Sequence, residues 1–285
     1  MIRTLPRSNI YKASFSIFIF LYFMFLFAPL LITCILAFNN SMFPSLPWKG
    51  FTLDWFTGTG PEKIGIFHDK INLRSIVVSF RVAVVVSALS TVVGTCAAFL
   101  FEQEEFRFKN FFYFLMLAPL VIPGVILGIS ILLFSNSAGI FIEEKLDIYV
   151  KLFNPGIWLV IMGQFSFITT FVALVVGARL KKFDKTLEEA AYNLGANRFE
   201  VIWFITLKFL RPSIIGGAAV AFLMSFENFN TSLFLVGSEA TLPITLYLQV
   251  RDGSTPVINA ISFLLIVSNS IFAVANLYFY KKEEY

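Results

Sequence analysis

Apolar residues along this chain run together. Six stretches, 14–38, 75–100, 111–134, 157–178, 213–236 and 259–280, are almost continuously hydrophobic. A helix of about 20 apolar residues crosses the hydrocarbon core of a bilayer. The pattern therefore predicts six membrane-spanning helices. Polar residues collect between them, most of all in 39–74, which is rich in Pro, Gly and aromatics, and in 179–212, the most charged stretch. The first run follows Arg3, Arg7 and Lys12. It is longer than the ~7–15-residue apolar core of a cleaved signal peptide, and no small-residue cleavage site follows it, so it reads as a retained helix.

Composition narrows the class. Of 285 residues, 58% are hydrophobic and only 14% charged, and mean hydropathy is +0.80. Soluble domains average about 45–50% apolar and about 25% charged, and a globule of this size has too little interior for so much apolar surface. Soluble enzymes, nucleic-acid binders and disordered proteins are excluded; the solvent for much of the chain is lipid. The 36 Phe residues suit lipid-facing helices.

The net charge of +4 changes the picture only through its distribution. With the N-terminus in the cytoplasm, 14 Lys and Arg fall on that side and 7 on the other, Arg81 lying within the second run. The positive-inside rule then places both termini in the cytoplasm. The organisation predicted is an N-terminal segment 1–13, a six-span domain 14–280 carrying a cytoplasmic loop 179–212, and a C-terminal segment 281–285. Cys34 and Cys96 sit in apolar runs and read as buried thiols. The single His68 lies in a polar loop and is a weak catalytic candidate.

The cytoplasmic loop is longer than two helices need for connection. In DKTLEEAAYNLGANRFEVIWFITLKFLR (184–211), Thr186 stands three residues before Glu189, the spacing of a capping box. Residues 187–194 are good helix formers, Gly195 suits a left-handed C-terminal cap, and Asn197 with Glu200 repeats the capping signature. Two short helices joined at Gly195 are predicted, sharing an apolar face of Ala190, Leu194, Phe199, Ile202 and Ile205, with Pro212 in the first turn of the next membrane helix. Two readings stay open: an interfacial elbow without a partner, or a docking surface on which Ala190 and Ala191 permit close approach and Arg198 and Glu200 set register.

Glu189-Ala190-Ala191, three residues, Gly195, nine residues, then Ile205-Thr206-Leu207 resembles the EAA loop of ABC importer permeases, E-A-A-x3-G-x9-I-x-L-P. Every fixed position matches except the last, where Lys208 replaces proline. In that family the loop forms a coupling helix seated in a groove of the ATP-hydrolysing subunit. The resemblance assigns that role to Glu189, Ala190, Ala191 and Gly195, with Ile205 and Leu207 completing the motif. Ala118-Pro119-Leu120-Val121-Ile122-Pro123 with Leu127-Gly128-Ile129-Ser130, Ser225-Phe226-Glu227-Asn228-Phe229 with Gly237, Leu242-Pro243 and Thr255-Pro256-Val257-Ile258-Asn259-Ala260 are similar to segments of spermidine/putrescine permeases. The chain looks most like the second of the two permease subunits of that importer.

Polar residues inside apolar runs are the other candidates. An acid at the bilayer centre costs about 2.5–3.5 kcal/mol on insertion scales, and Glu227 lies in the fifth run. If that run is helical, Asn230 and Thr231 share its face, and with Asn228 they form a candidate substrate path. A carboxylate with amide and hydroxyl neighbours suits an ammonium group, and aromatic spans add cation–π contacts. Where that permease branch often has paired acids, Glu227 is followed by Asn228, one charge fewer toward a polycation. The alternative is a structural Glu227, near the outer interface or paired with Arg81. The stripe Ala83, Ser87, Ser90, Gly94 and Ala97 suggests close helix packing, and Pro119 and Pro123 a packed kink in the third span.

The sequence has no G-x-x-x-x-G-K-[ST] phosphate loop, so ATP hydrolysis is not expected of this chain. No H-E-x-x-H or G-x-S-x-G motif occurs, and no metal-ligand spacing. The resemblance implies an importer permease that binds no cofactor itself, ATP and Mg residing in a partner. The partners implied are a second six-span permease, two cytoplasmic ATPase subunits, an extracytoplasmic solute-binding protein and the lipid bilayer, with no nucleic acid. The solute implied is a polyamine; other small solutes, or a secondary transporter driven by an ion gradient, remain as alternatives.

Overall fold

The computed structural model describes residues 9–43, 46–60, 63–253 and 255–283. Arg3 and Arg7 of the N-terminal flank, and the last two residues of 281–285, fall outside them. Long helices follow the apolar runs: α1 (Asn9–Leu36), α3 (Lys70–Gln103), α4 (Lys109–Val121), α5 (Gly124–Leu146), α6 (Ile157–Leu180), α9 (Leu207–Phe226) and α11 (Val257–Glu283). Shorter helices stand between them: α2 (Asp54–Thr57), α7 (Thr186–Asn193), α8 (Arg198–Val201) and α10 (Leu242–Gly253). The one sheet among the described residues is a hairpin of β1 (Thr59–Gly60) and β2 (Lys63–Ile64), with Thr59 opposite Ile64.

Two of the six predicted runs take a different form. The third, 111–134, is not one kinked helix. The α4 helix ends at Val121, Ile122 is extended (φ −74°, ψ 127°), and Pro123 precedes α5. Proline disfavours helical geometry in the residue before it, which turns the predicted kink into a break. The fifth run, 213–236, is helical only to Phe226. Its helix begins earlier, because α8, a π-helical turn at Ile202–Thr206 and α9 follow one another without interruption. Pro212 therefore lies inside α9 rather than in a first turn. Five helical stretches, in α1, α3, α5, α6 and the α8–α9 rod, are long and apolar enough to cross a membrane. The last run follows α11, whose 27 residues reach about 40 Å at ~1.5 Å each, and α4 is a shorter apolar helix.

The structure divides into two units. The smaller comprises residues 1–70 and 249–274. Here the Pro- and Gly-rich loop folds on itself. The Trp55 indole donates to the Asn39 carbonyl at 2.8 Å, and the Lys49 amide donates to the Asn39 side chain at 2.8 Å. Phe38 stacks on Phe51 and meets Phe263 edge-on at 5.1 Å. Asp54 accepts from Thr52 and pairs with Lys63 at 3.1 Å, which holds its carboxyl below the usual range.

The larger unit, 71–248 with 275–285, is built on α6. Over half of this helix's most apolar stretch is buried. Ile168, Val172 and Val176 meet Val78, Val82 and Val86 of α3 and Leu210 and Ala221 of α9 in one core. Lipid tails are as apolar as these side chains, so the hydrophobic effect alone does not join helices in a membrane; close packing and hydrogen bonds must. The small-residue stripe of α3 supplies both. A Cβ on Gly94 would lie 2.9 Å from the Thr169 carbonyl oxygen and 2.9 Å from Val172 Cβ. Ser87 donates to the Ala218 carbonyl at 2.7 Å, and Thr169 donates to Ser90 at 3.2 Å. Each such bond contributes about 0.6 kcal/mol in membrane helices. Cys34 and Cys96, expected to be buried, are half-buried and exposed respectively; lipid makes the surface as hospitable to a thiol as the interior.

Gly94→Ala is expected to destabilise the protein by about 1–3 kcal/mol through overpacking, whereas Gly216→Ala, with nothing within 4 Å, stabilises it by roughly 0.5–1 kcal/mol through helix propensity. Thermal unfolding of the two variants in detergent checks the opposite signs.

Candidate functional site

The loop between α6 and α9 is two helices and a corner. Asp184, rather than the expected Thr186–Glu189 box, starts α7: its Oδ1 accepts from the Thr186 amide at 3.0 Å and from the Thr186 hydroxyl at 2.8 Å. These bonds hold the Asp184 carboxyl below its ordinary pKa. A carboxylate two residues upstream captures the free amide before Thr186 can act as a cap. The other end of α7 follows the sequence. Gly195 takes φ +91°, its amide donates to Tyr192 O at 2.9 Å, and the Ala196 amide donates to Ala191 O at 3.1 Å. This pair of bonds is the Schellman arrangement, in which glycine avoids the steric penalty of a left-handed turn. The α8 helix then opens on a full capping box: Asn197 accepts from the Glu200 amide at 3.0 Å and Glu200 accepts from the Asn197 amide at 2.8 Å.

The predicted apolar face does not close on itself. No residue of α7 is buried; Ala190 is exposed, Ala191, Ile202, Ile205 and Leu207 are half-buried, and Glu189 is exposed. Leu194 is 90% exposed, and Phe199 stacks on Trp203 at 6.0 Å with both rings open. Val201 and Thr206 face inward. The elbow thus keeps an apolar tip bare while polar groups tie its base. Arg198 pairs with Glu104 at 2.9 Å and Lys181 with Glu102 at 3.3 Å. Arg179 donates to the Phe209 carbonyl at 3.0 Å and lies over the Phe209 ring. Of the two register residues expected, Arg198 is engaged by Glu104 and Glu200 by the cap.

The second candidate lies beyond α9. Glu227 ends that helix (φ −91°, ψ 2°), so Glu227, Asn230 and Thr231 do not share a helical face. The segment 227–236 is non-helical but for a 3₁₀ turn at Ser232–Phe234. Backbone without helical bonds is tolerated at membrane depth where protein buries it, and glycines on α5 and α6 make the room. A Cβ on Gly128 would fall 2.6 Å from the Thr231 carbonyl oxygen, and one on Gly163 2.4 Å from Leu235 Cδ1. A relay of side chains fixes the segment. Ser225 donates to Gln164 Oε1, Gln164 donates to Ser232 Oγ at 2.8 Å, and Ser232 donates to Asn228 Oδ1 at 3.0 Å. Gln164 is 1% exposed and both ends of its amide are engaged.

The four residues of the expected path therefore separate. Thr231 is buried and Asn228 is engaged in the relay, while Glu227 and Asn230 are exposed. Among the described residues neither Glu227 nor Arg81 makes an ion pair. A helix C-terminus carries about −0.5 of an elementary charge, to which the Glu227 carboxylate adds its own. Two residues on, Phe229 meets Tyr247 with ring centroids 5.0 Å apart. Negative potential beside aromatic faces attracts cations. Gln164, a polar residue in the middle of an apolar run, is the signal that sequence reasoning passed over.

Residues 90–284, over two thirds of the chain, match the family of binding-protein-dependent transport system inner membrane components. The chain belongs to this family. It is a permease subunit of an ABC importer, a multi-pass inner-membrane protein and not an enzyme, ATP hydrolysis residing in a separate subunit. Similar permeases include the putrescine transport system permease protein PotI of Escherichia coli (strain K12), 32% identical over 86% of this chain and 82% of that one. The spermidine/putrescine transport system permease protein PotC of the same strain is 27% identical over 88% of each. The permease also shares its fold with a bacterial ABC transporter involved in the import of the acidic polysaccharide alginate: TM-score 0.77, 16% identity, covering 95% of this chain and 94% of that one. The expected six-span importer-permease fold is thereby established.

The loop's start should respond to acid. Because the Asp184 pKa is lowered on folding, its stabilisation is present above the ordinary carboxylate range and is lost as pH falls through the lowered value. Protection of the Thr186 amide from exchange is expected to fall across that window and to become independent of pH there in Asp184→Ala. Asn197→Ala is expected to weaken α8 by about 1 kcal/mol, read as faster exchange of the Glu200 amide.

Proposed function

We propose that this permease is one of an unlike pair forming the translocation path of an ATP-driven importer for polyamines of the putrescine and spermidine class. Kinship with PotI and PotC over 86–88% of the chain carries the solute class. The exposed Glu227 at a helix C-terminus, with Phe229 two residues on packed against Tyr247, supports a cationic solute. The single charge fits a short diamine at least as well as a longer polycation.

Both termini face the cytoplasm, in keeping with 14 basic residues on that side against 7 on the other. The elbow of α7 and α8 is then cytoplasmic. Its bare apolar tip, Leu194, Phe199, Trp203 and Phe204, supports the docking reading over the interfacial one, and one such elbow from each permease meets one of two ATPase subunits. Those subunits hold ATP and Mg; this chain binds neither. An external binding protein delivers the solute. ATP binding draws the ATPases together, the elbows follow, and the path alternates between inward- and outward-facing states, each favoured by a different ligand.

The test is uptake of labelled putrescine by liposomes holding the purified assembly with its binding protein. Accumulation is expected to require internal ATP and the ATPase subunits. Uptake by this chain alone, driven by an ion gradient, would overturn the reading in favour of a secondary transporter. Glu227→Gln is expected to lower uptake about tenfold, the effect of losing a charged hydrogen bond; unchanged uptake makes Glu227 structural. Gly195→Asp, which puts a side chain at φ +91° and a charge on the docking face, is expected to insert normally yet lose uptake and bound ATPase.

A further inference from the structure

The EAA resemblance concerns the tip and the fixed positions of the loop. It says nothing of how displacement of that tip reaches the membrane. Among the described residues, one side-chain hydrogen bond joins α7 to the rod of α8, the π-turn and α9: the Thr206 hydroxyl donates to Glu188 Oε1 at 2.6 Å. Neither residue occupies a fixed position of the motif, since Glu188 precedes it and Thr206 fills its variable place between Ile205 and Leu207. Thr206 is fully buried. The bond is short and its acceptor is a carboxylate, the class of hydrogen bond roughly twice as strong as a neutral one.

Three observations give this contact more than a packing role. First, α7 buries none of its residues, so apolar contact does not fix its orientation to the rod and the polar bond must. Second, Thr206 closes the π-helical turn Ile202–Thr206. Such turns are local departures from the α-helix that appear mostly singly and often at functional sites. Third, the rod continues unbroken from Arg198 to Phe226, so a pull on Thr206 acts on the helix that ends at Glu227. Arg179 holds the rod three residues further on through the Phe209 carbonyl, so the Glu188 bond acts on a helix already tied to α6.

We infer that Glu188 and Thr206 form the joint that passes movement of α7 into α9. They are positioning residues, touching neither solute nor nucleotide. The inference rests on the docking reading above, since only a docked ATPase moves α7.

The experiment uses the complete assembly in liposomes with labelled putrescine, comparing Glu188→Ala, Thr206→Val, the double variant and the conservative Glu188→Gln, which keeps an acceptor. Two quantities are read: ATPase subunit retained on affinity purification, and solute imported per ATP hydrolysed. Retention is expected at the wild-type level in all four. Import per ATP is expected to fall about fivefold in each single variant, within the range by which coupling residues act. The double variant should fall no further, because both changes break one bond, and Glu188→Gln should stay within about twofold of wild type. Unchanged import per ATP in the single variants with ATPase retained, or additive losses in the double, overturns the joint while leaving docking intact. Loss of the ATPase from the single variants makes the contact structural and also overturns it. If the wild-type chain itself retains no ATPase, the docking reading fails and the joint falls with it.

Discussion

A glycine and a row of hydroxyls on α3 decide how near it comes to α6 and α9, the helix pair at the centre of the larger unit. With Gly94 against the Thr169 carbonyl and Ser87 bonded to the Ala218 carbonyl, α3 is tied at these points to α6 and α9, which pack extensively on each other. Lipid offers such helices no hydrophobic incentive to associate, so fit and hydrogen bonding carry the contact, and both fade steeply with distance. Helices joined this way move together. That property is what an energy-coupled permease requires of the elements leading from its loop.

At one end of this body the Arg179–Phe209, Lys181–Glu102 and Arg198–Glu104 contacts hold the base of the elbow while its apolar tip stays bare. An exposed ion pair such as Arg198–Glu104 contributes little to stability, about 0–1 kcal/mol. The value of these contacts here is direction: they fix where the tip points. At the other end of α9 the chain leaves the helix at Glu227; the Ser225–Gln164–Ser232–Asn228 relay pins it to α6, and Gly128 of α5 lets Thr231 approach. A polar chain with every member satisfied is rigid, so the exposed Glu227 and Asn230 are presented from a fixed frame.

What the sequence revealed and what it hid divide along physical lines. Features set by neighbours in the chain were legible. Gly195 takes its left-handed cap and Asn197–Glu200 its capping box because three or four residues settle those geometries. Helix ends inside apolar runs were not, since hydropathy averages across them: it joined α4 to α5 over Ile122–Pro123 and carried the fifth span past Phe226 into a segment held by distant glycines. Thr186 lost its capping role to Asp184, two residues away, a competition that spacing alone does not rank. The Glu188–Thr206 bond links residues 18 positions apart across a π-turn, and no periodicity announces one. The division of the expected path into exposed Glu227 and Asn230 and occupied Asn228 and Thr231 likewise needed the fold.

The central claim, that the bare tip of the elbow is seated in an ATPase, is tested most directly by cross-linking. With Cys34 and Cys96 replaced by Ser, a cysteine at Leu194 would be offered a bifunctional maleimide in native membranes with and without ATP. The account predicts a product joining this permease to a P-loop ATPase, with a yield that changes with nucleotide. A Leu194→Cys that reacts freely with water-soluble maleimide yet forms no such product in any nucleotide state would contradict it.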